Sequence, residues 1–246
     1  NNIKLLELDL SKDQSVSNFL NEIKQTCKTV KALILNAGFI ETSPCLMTSQ
    51  SSIENHLKIN YTNNIKIVQF IVRKYMLKQR KGSVVNISSS AAKFANGGRM
   101  AYAASKAAMS LSIKVMSREL GKNNIIFNSI SPGLTESKLM RNSTEEGNIK
   151  NYLSIVDNRR IGMPSEIASL INFLVSDKNT HIETSGVYPL TGHWDWICFS
   201  PKKFKNPREV FYECSDELKL VIYHKSDFEW AIEQSKKMNP NAKWLL

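Results

Sequence analysis

Cysteine is scarce in this 246-residue chain, and the four present, Cys27, Cys45, Cys198 and Cys214, never approach C-x-x-C spacing. That argues against both a zinc site and a disulfide framework. Long apolar runs are missing too. Hydrophobic residues make up 42% of the chain, so a sizeable buried core is predicted but no membrane span. No signal-like stretch opens the sequence, which together with the cysteine usage leads to the expectation of a cytoplasmic protein. Tryptophan is absent before Trp194, and Trp194, Trp196, Trp230 and Trp244 complete the set. Charge changes at nearly the same point. From Glu183 onward there are nine basic and nine acidic residues, so the whole net charge of +11 (24 against 13) lies in residues 1–182. A boundary is therefore predicted near Ile182/Glu183. The lysines of the first part are spread over helices and loops, without an aromatic-interleaved stripe, so no nucleic-acid surface is expected.

The richest stretch is Ser89 to Lys106, SSAAKFANGGRMAYAASK. A β-rich run, Gly82 to Ser88, delivers Ser89 to its end, and the alanine-rich segment that follows reads as a helix carrying Tyr102 and Lys106. One helical turn separates those two, so they project from one face. An ammonium beside a phenol favours the phenolate and lowers the tyrosine pKa, and a nearby serine can hold a substrate oxygen. The pattern is that of a proton-transfer site for a carbonyl or an alcohol. Ser88 and Ser90 compete with Ser89 for the serine role, and the spacing to Tyr102 favours Ser89.

Around it, Ile3–Leu10 reads as a strand and Ser11, a plausible N-cap, opens a helix to about Thr26. Val30–Leu35 is a short apolar strand ending at Asn36-Ala37-Gly38. A long helical pattern, Ser52 to Lys78, contains Asn60; Ser83–Ser88 and Asn124–Ser131 are further strands, the latter ending in Pro132-Gly133. Leu134–Arg160 is polar and irregular, suited to a mobile lid, and Pro164 opens a helix through Val175 to near Asp177. Alternation of strands and helices predicts an α/β fold, a doubly wound parallel sheet with its ligand at the carboxyl ends of the strands.

With these motifs in order, residues 3–182 resemble the short-chain dehydrogenase/reductase family, most closely its 3-oxoacyl-carrier-protein reductase type. The resemblance implies a Rossmann-like fold and a carbonyl–alcohol oxidoreductase using NAD or NADP. It gives Ser89, Tyr102 and Lys106 the catalytic roles, with Lys106 also on the nicotinamide ribose, and makes Asn60 the holder of a proton-relay water. It puts Asp9 near the adenine, Asn36-Ala37-Gly38 along the cofactor cleft, and Pro132, Gly133, Thr135 and Ser137 at the nicotinamide. Arg160-Ile161-Gly162-Met163-Pro164 with Glu166 resembles the stretch that closes over the site. On the residues alone, Asp9 also reads as a strand-end acid and Asn60 as a partner for buried backbone. A homo-oligomer through the Tyr102 helix and a small carbonyl or alcohol substrate follow from the same resemblance. The family's T-G-x-x-x-G-x-G turn, which binds the cofactor pyrophosphate, has no counterpart here, and the chain reads as starting at the family's third strand. The domain is thus expected to be incomplete and cofactor binding weakened or lost.

Residues 183–246 resemble a different family. Glu183-Thr184-Ser185-Gly186, the run Asp195-Trp196-Ile197-Cys198-Phe199-Ser200-Pro201-Lys202, and Asp216 to Tyr223 are similar to the C-terminal part of 7-carboxy-7-deazaguanine synthases, radical S-adenosylmethionine enzymes of queuosine synthesis. Glu183, Ser200 and Lys202 are the positions this carries over. No cysteine triplet of cluster-binding spacing exists, so no iron–sulfur cluster is expected. The segment reads as loops and strands with a helix from Ser226 to about Met238, a fragment with open sheet edges ending at Trp244-Leu245-Leu246. The whole is then either a reductase domain with a foreign tail, a deazaguanine-pathway protein named by that tail, or an inactive junction of two gene fragments.

Overall fold

The structure, a computed structural model, describes residues 3–176, 181–190, 194–222 and 224–245. It divides into two compact units, Asn1–Ser176 and Asp177–Leu246. In the first, three parallel strands lie in the order β1 (Ala32–Leu35), β2 (Gly82–Ile87), β3 (Ile125–Ile130). Parallel neighbours need long crossovers. A helix over residues 50–79, α2, joins β1 to β2, and α3 (Met100–Leu120) joins β2 to β3, while α1 (Asp13–Thr26) precedes β1. The central strand is buried from Gly82 to Asn86, with Val84 and Val85 fully so, as befits a strand covered on both faces.

The core lies between sheet and helices: Ile67, Val68, Ile71 and Val72 of α2 and Met109 and Ile113 of α3 meet Val84, Ile125 and Phe127 of the sheet. Gly82 opens β2 because a Cβ there would come within 2.5 Å of the Met76 side chain, itself fully buried. Helix α2 starts where the Ser49 hydroxyl accepts from Ser52 N at 3.2 Å and ends where Arg80 turns left-handed (φ 50°). Two π turns interrupt it, Lys58–Thr62 and Val72–Met76.

Three local expectations fail. Ile3–Leu10 forms no strand, and Ile3 and Leu5 are 86% and 90% exposed; an extended segment becomes a strand only where a neighbour takes up its backbone groups, and no described strand lies beside it. Ser11 does not cap α1. Its hydroxyl donates instead to Asp9 Oδ1 at 2.6 Å, leaving Lys12 in the cap position without a side-chain bond. Residues 134–160 are not irregular, since they form α4 (Lys138–Ser143) and α5 (Glu146–Ile155). Each helix has one buried anchor, Met140 and Ile149, too sparse a pattern to show as an apolar stripe. Helix α6 (Pro164–Val175) follows, with the Glu166 carboxylate accepting from Met163 N at 2.7 Å; its predicted end near Asp177 lies outside the described residues.

The second unit is a four-stranded parallel sheet in the order β4 (His181–Thr184), β5 (Trp196–Phe199), β6 (Glu217–Lys219), β7 (Lys243–Leu245). Helices α7 (Val210–Cys214) and α8 (Lys225–Lys237) join its later strands. Its core is Phe199, Phe211, Tyr212, Leu218, Leu220, Ala231 and Met238. Tyr212 stands edge-on to Phe199, with centroids 5.0 Å apart, and its buried hydroxyl donates to Gln234 Oε1. Tyr223 and Leu246, counted in the predicted final strands, lie outside the described residues.

Candidate active site

The buried stripe of α3 is Ala101, Tyr102, Ser105, Lys106, Met109 and Ile113. Its lower end is apolar and packs in the core, while its upper end meets the loops that leave β1, β2 and β3. There Tyr102 and Lys106 border a cavity of about 660 Å³, together with Asn36-Ala37-Gly38, Ser89 and Pro132-Gly133. Thr135 and Ser137 line it as well, as does one side of α6 through Pro164, Ile167 and Ile171. The topology thus gathers at one opening residues that lie a hundred positions apart in the chain.

Lys106 Nζ donates to Ile87 O at 2.8 Å and stands 5.9 Å from the centroid of the Tyr102 ring. Both residues are largely buried. Burial holds the Lys106 ammonium down to about 8. Burial also pushes the Tyr102 phenol above its ordinary value, against the smaller opposite pull of the Ser89 hydroxyl and the Arg99 guanidinium. The expectation that lysine lowers the tyrosine pKa is therefore not met: one desolvated site disfavours the charged forms of both groups.

Of the rival serines, Ser88 is buried and committed to Ser110 Oγ at 2.6 Å. Ser90 N is turned to Pro132 O, and Ser89 sits beside Tyr102. Gly38 is small for a visible reason, since a Cβ there would lie 3.3 Å from Lys106 Nζ. Asn60 falls within the first π turn of α2. Its Oδ1 accepts from Phe39 N at 2.8 Å, and its Nδ2 donates to Phe39 O at 2.8 Å and to Ser105 Oγ at 2.9 Å. Each end of that amide is engaged, and it fixes the turn after Gly38.

Gly133 faces the Tyr152 hydroxyl, which a Cβ would strike. Thr135 Oγ1 donates to Gly133 O at 3.2 Å, and the Ser137 hydroxyl caps α4 by accepting from Met140 N at 3.1 Å. Arg160 grips Glu166 with two bonds, of 2.8 and 2.6 Å, and the pairing holds that exposed carboxyl down to about 2. Asp9 is not among the cavity residues. It accepts from Ser11 N and Oγ and pairs with Lys12, which holds it at about 2.

Two residues, one beside Tyr102 and one lining the cavity, went unread in the sequence. His56 is fully buried, with Nδ1 bonded to Ser52 O and Nε2 accepting from Glu41 N at 3.0 Å, its ring 6.5 Å from that of Tyr102. Its place four residues before Asn60 on the same helix was the available signal. Arg99 lines the cavity from the position just before α3, three residues ahead of Tyr102.

A family model described as "Enoyl-(Acyl carrier protein) reductase" matches residues 1–189. The chain belongs to the short-chain dehydrogenase/reductase family. It is 31% identical over 177 residues to the 3-oxoacyl-[acyl-carrier-protein] reductase FabG of Aquifex aeolicus, covering 72% of this chain and 71% of that one. The fold of this dehydrogenase/reductase matches a solved gluconate 5-dehydrogenase from Burkholderia cenocepacia, crystallised with NADP and tartrate. The TM-score is 0.63 at 22% identity, over 68% of this chain and 66% of the other. The remaining segment resembles the C-terminal part of 7-carboxy-7-deazaguanine synthase. A 62-residue stretch, 25% of the chain, is 60% identical to that protein from Flavobacterium psychrophilum, of which it spans 30%. Among the described residues no helix is long and apolar enough to cross a membrane.

In the second unit Glu183 Oε2 pairs with Lys219 Nζ at 2.9 Å, and Lys202 Nζ donates to Ser200 Oγ at 3.1 Å. Cys198 is buried and donates to Glu217 Oε1 at 3.2 Å; burial first, and then that carboxylate, push its thiol up to about 12. Cys214 is exposed.

Proposed function

We propose that the first unit interconverts a small carbonyl and its alcohol with NAD or NADP, Tyr102 being the acid/base. The observation that carries this is the convergence of Tyr102, Ser89 and the buried Lys106 on one cavity at the carboxyl ends of the strands. The space left by Gly38 over Lys106 and the cavity lining of Asn36, Ala37, Pro132, Gly133, Thr135 and Ser137 would hold the nicotinamide and ribose end of the cofactor. When bound, the reduced cofactor supplies a hydride to the carbonyl carbon. Tyr102 donates its proton to the substrate oxygen, and the Ser89 hydroxyl hydrogen-bonds the same oxygen. A raised pKa keeps Tyr102 protonated and ready to donate. As the proton leaves, the ammonium of Lys106 stabilises the phenolate in a site of low dielectric. Asn60 acts as a positioning residue, holding Phe39 and Ser105.

Asp9 lies outside the cavity residues, bonded to Ser11 and paired with Lys12, and among the described residues no glycine-rich turn joins a strand to a helix. We therefore infer weak NADPH binding by this chain. Fluorescence titration is expected to give no saturation in the micromolar range, and tight, saturable enhancement contradicts the inference. Tyr102→Phe tests the chemistry. Removal of a general acid is expected to lower carbonyl-dependent NADPH oxidation by about 100-fold or more, and an unchanged rate refutes the role. Leu111 and Val115, exposed on α3, support an oligomer through that helix, which light scattering would detect.

A second reading is favoured by the 60% identity of the final segment to a deazaguanine synthase: a junction of two gene fragments without turnover. Sequencing one uninterrupted DNA molecule across the codons for residues 176–190 tests it, a break there supporting the junction.

A further inference from the structure

The charges around the cavity are unbalanced. Glu136, an acid in its lining, is held by Arg141, which donates through Nε at 2.8 Å and through Nη2 to the other carboxylate oxygen. Lys106 at the base is bound to Ile87 O. Arg99 is different. It lines the same cavity and is half-buried, and among the described residues no carboxylate pairs with it. Only its Nη2 has protein partners, Thr144 Oγ1 at 2.7 Å and Ser143 O at 3.5 Å. These pin the guanidinium while leaving Nε and Nη1, among the described residues, without an acceptor. An arginine that lines a cavity, fixed at one corner and with its remaining N–H groups uncommitted among the described residues, is suited to bind a carboxylate.

Position adds to this. Arg99 is the residue before the 21-residue helix α3, whose first turn holds no acid and whose N-terminal N–H groups receive no bond from the cap side chain. The positive end of the helix and the guanidinium therefore favour the same sign of charge. Tyr102 lies three residues on, in the first turn of that helix, and borders the same cavity. An anion on Arg99 and an oxygen on Tyr102 would thus share one cavity.

Resting on the reading of Tyr102 as acid/base, we infer that Arg99 is a specificity-determining residue and that the substrate is a short oxo acid or its hydroxy acid. The carboxylate binds Arg99 and the reacting oxygen faces Tyr102 and Ser89. The reduction consumes one reduced nicotinamide cofactor and one proton and forms the C–H and O–H bonds of the alcohol, leaving the carboxylate unchanged.

The test is binding of three carboxylates, 2-oxobutyrate, acetoacetate and levulinate, each against its neutral amide, followed by ligand-detected saturation-transfer NMR on the full chain. Wild type is expected to bind at least one acid about tenfold or more tightly than its amide. Arg99→Gln is expected to erase that preference and Arg99→Lys to keep part of it, with circular dichroism confirming that both fold. The acid–amide comparison on wild type stands even where a variant does not fold. No preference for any acid in wild type, or a preference that survives Arg99→Gln, overturns the inference. Tyr102-dependent reduction of neutral ketones without acid preference overturns it while leaving the catalytic reading intact. Arg99-dependent acid binding without any turnover supports it and counts against the catalytic reading.

Discussion

Lys106→Met is the perturbation that most sharply tests the burial of the site. Lysine ordinarily titrates near 10.5, and here burial brings Lys106 to about 8, a difference worth about 3 kcal/mol. Between those two values the unfolded chain holds a proton that the folded chain lacks, so folding releases it and stability rises with pH. Below about 8 the full cost of burying the ammonium is present, and it is relieved progressively toward 10.5. From pH 7 to pH 9.5, wild type is expected to gain about 2 kcal/mol over the variant. Methionine fills similar space but cannot donate to Ile87 O, a loss of about 1.5–3 kcal/mol that offsets the relief at neutral pH without altering the slope. The assay is urea unfolding at the two pH values, followed by circular dichroism and by hydrogen exchange of the α3 amides. Every tryptophan lies in the second unit, so tryptophan fluorescence follows that unit separately. Equal pH slopes in wild type and variant would refute the burial argument.

Other expectations concern single contacts. Gly186 has φ +71°, and a Cβ there would lie 2.6 Å from Phe199 and 3.2 Å from Phe211; Gly186→Ala should destabilise the second unit by about 2 kcal/mol or more, read by tryptophan fluorescence. Asn60→Ala orphans Phe39 N and O and should cost about 1–3 kcal/mol in urea unfolding of the first unit, whereas a neutral result would mean that water replaces the amide. In timed alkylation at pH 8 with mass-spectrometric readout, exposed Cys45 and Cys214 should label first and Cys198, pushed up to about 12, last. Early labelling of Cys198 would contradict its burial.

The spacing of Tyr102 and Lys106 was legible because helical geometry alone fixes it, and β1, β2 and β3 were legible because each carries a short run of consecutive apolar residues, such as Val84-Val85 and Ile125-Ile126-Phe127. What depended on partners was not. Ile3–Leu10 has the composition of a strand, yet pairing decides whether it becomes one. Ser11 has the chemistry of a cap, but Asp9 two residues earlier offers a stronger, charged acceptor. Helices α4 and α5 hold one buried residue each, below the threshold at which periodicity is visible. The lowering of the Tyr102 pKa was inferred from a neighbouring charge, whereas the fold determines how far water is excluded from both groups. Arg99 and His56 carry no motif, and only the packing of α2 and the loop before α3 brings them to the site.

The central claim is that Tyr102 supplies the proton in a nicotinamide-dependent carbonyl reduction. The most direct measurement is carbonyl-dependent oxidation of NADPH, at the highest cofactor concentration that absorbance permits, by wild type and Tyr102→Phe side by side over a panel of small ketones and oxo acids. Oxidation by wild type that falls by about 100-fold or more in the variant is the expected result. Equal rates in the two proteins, or no oxidation by wild type with any member of the panel, would contradict it.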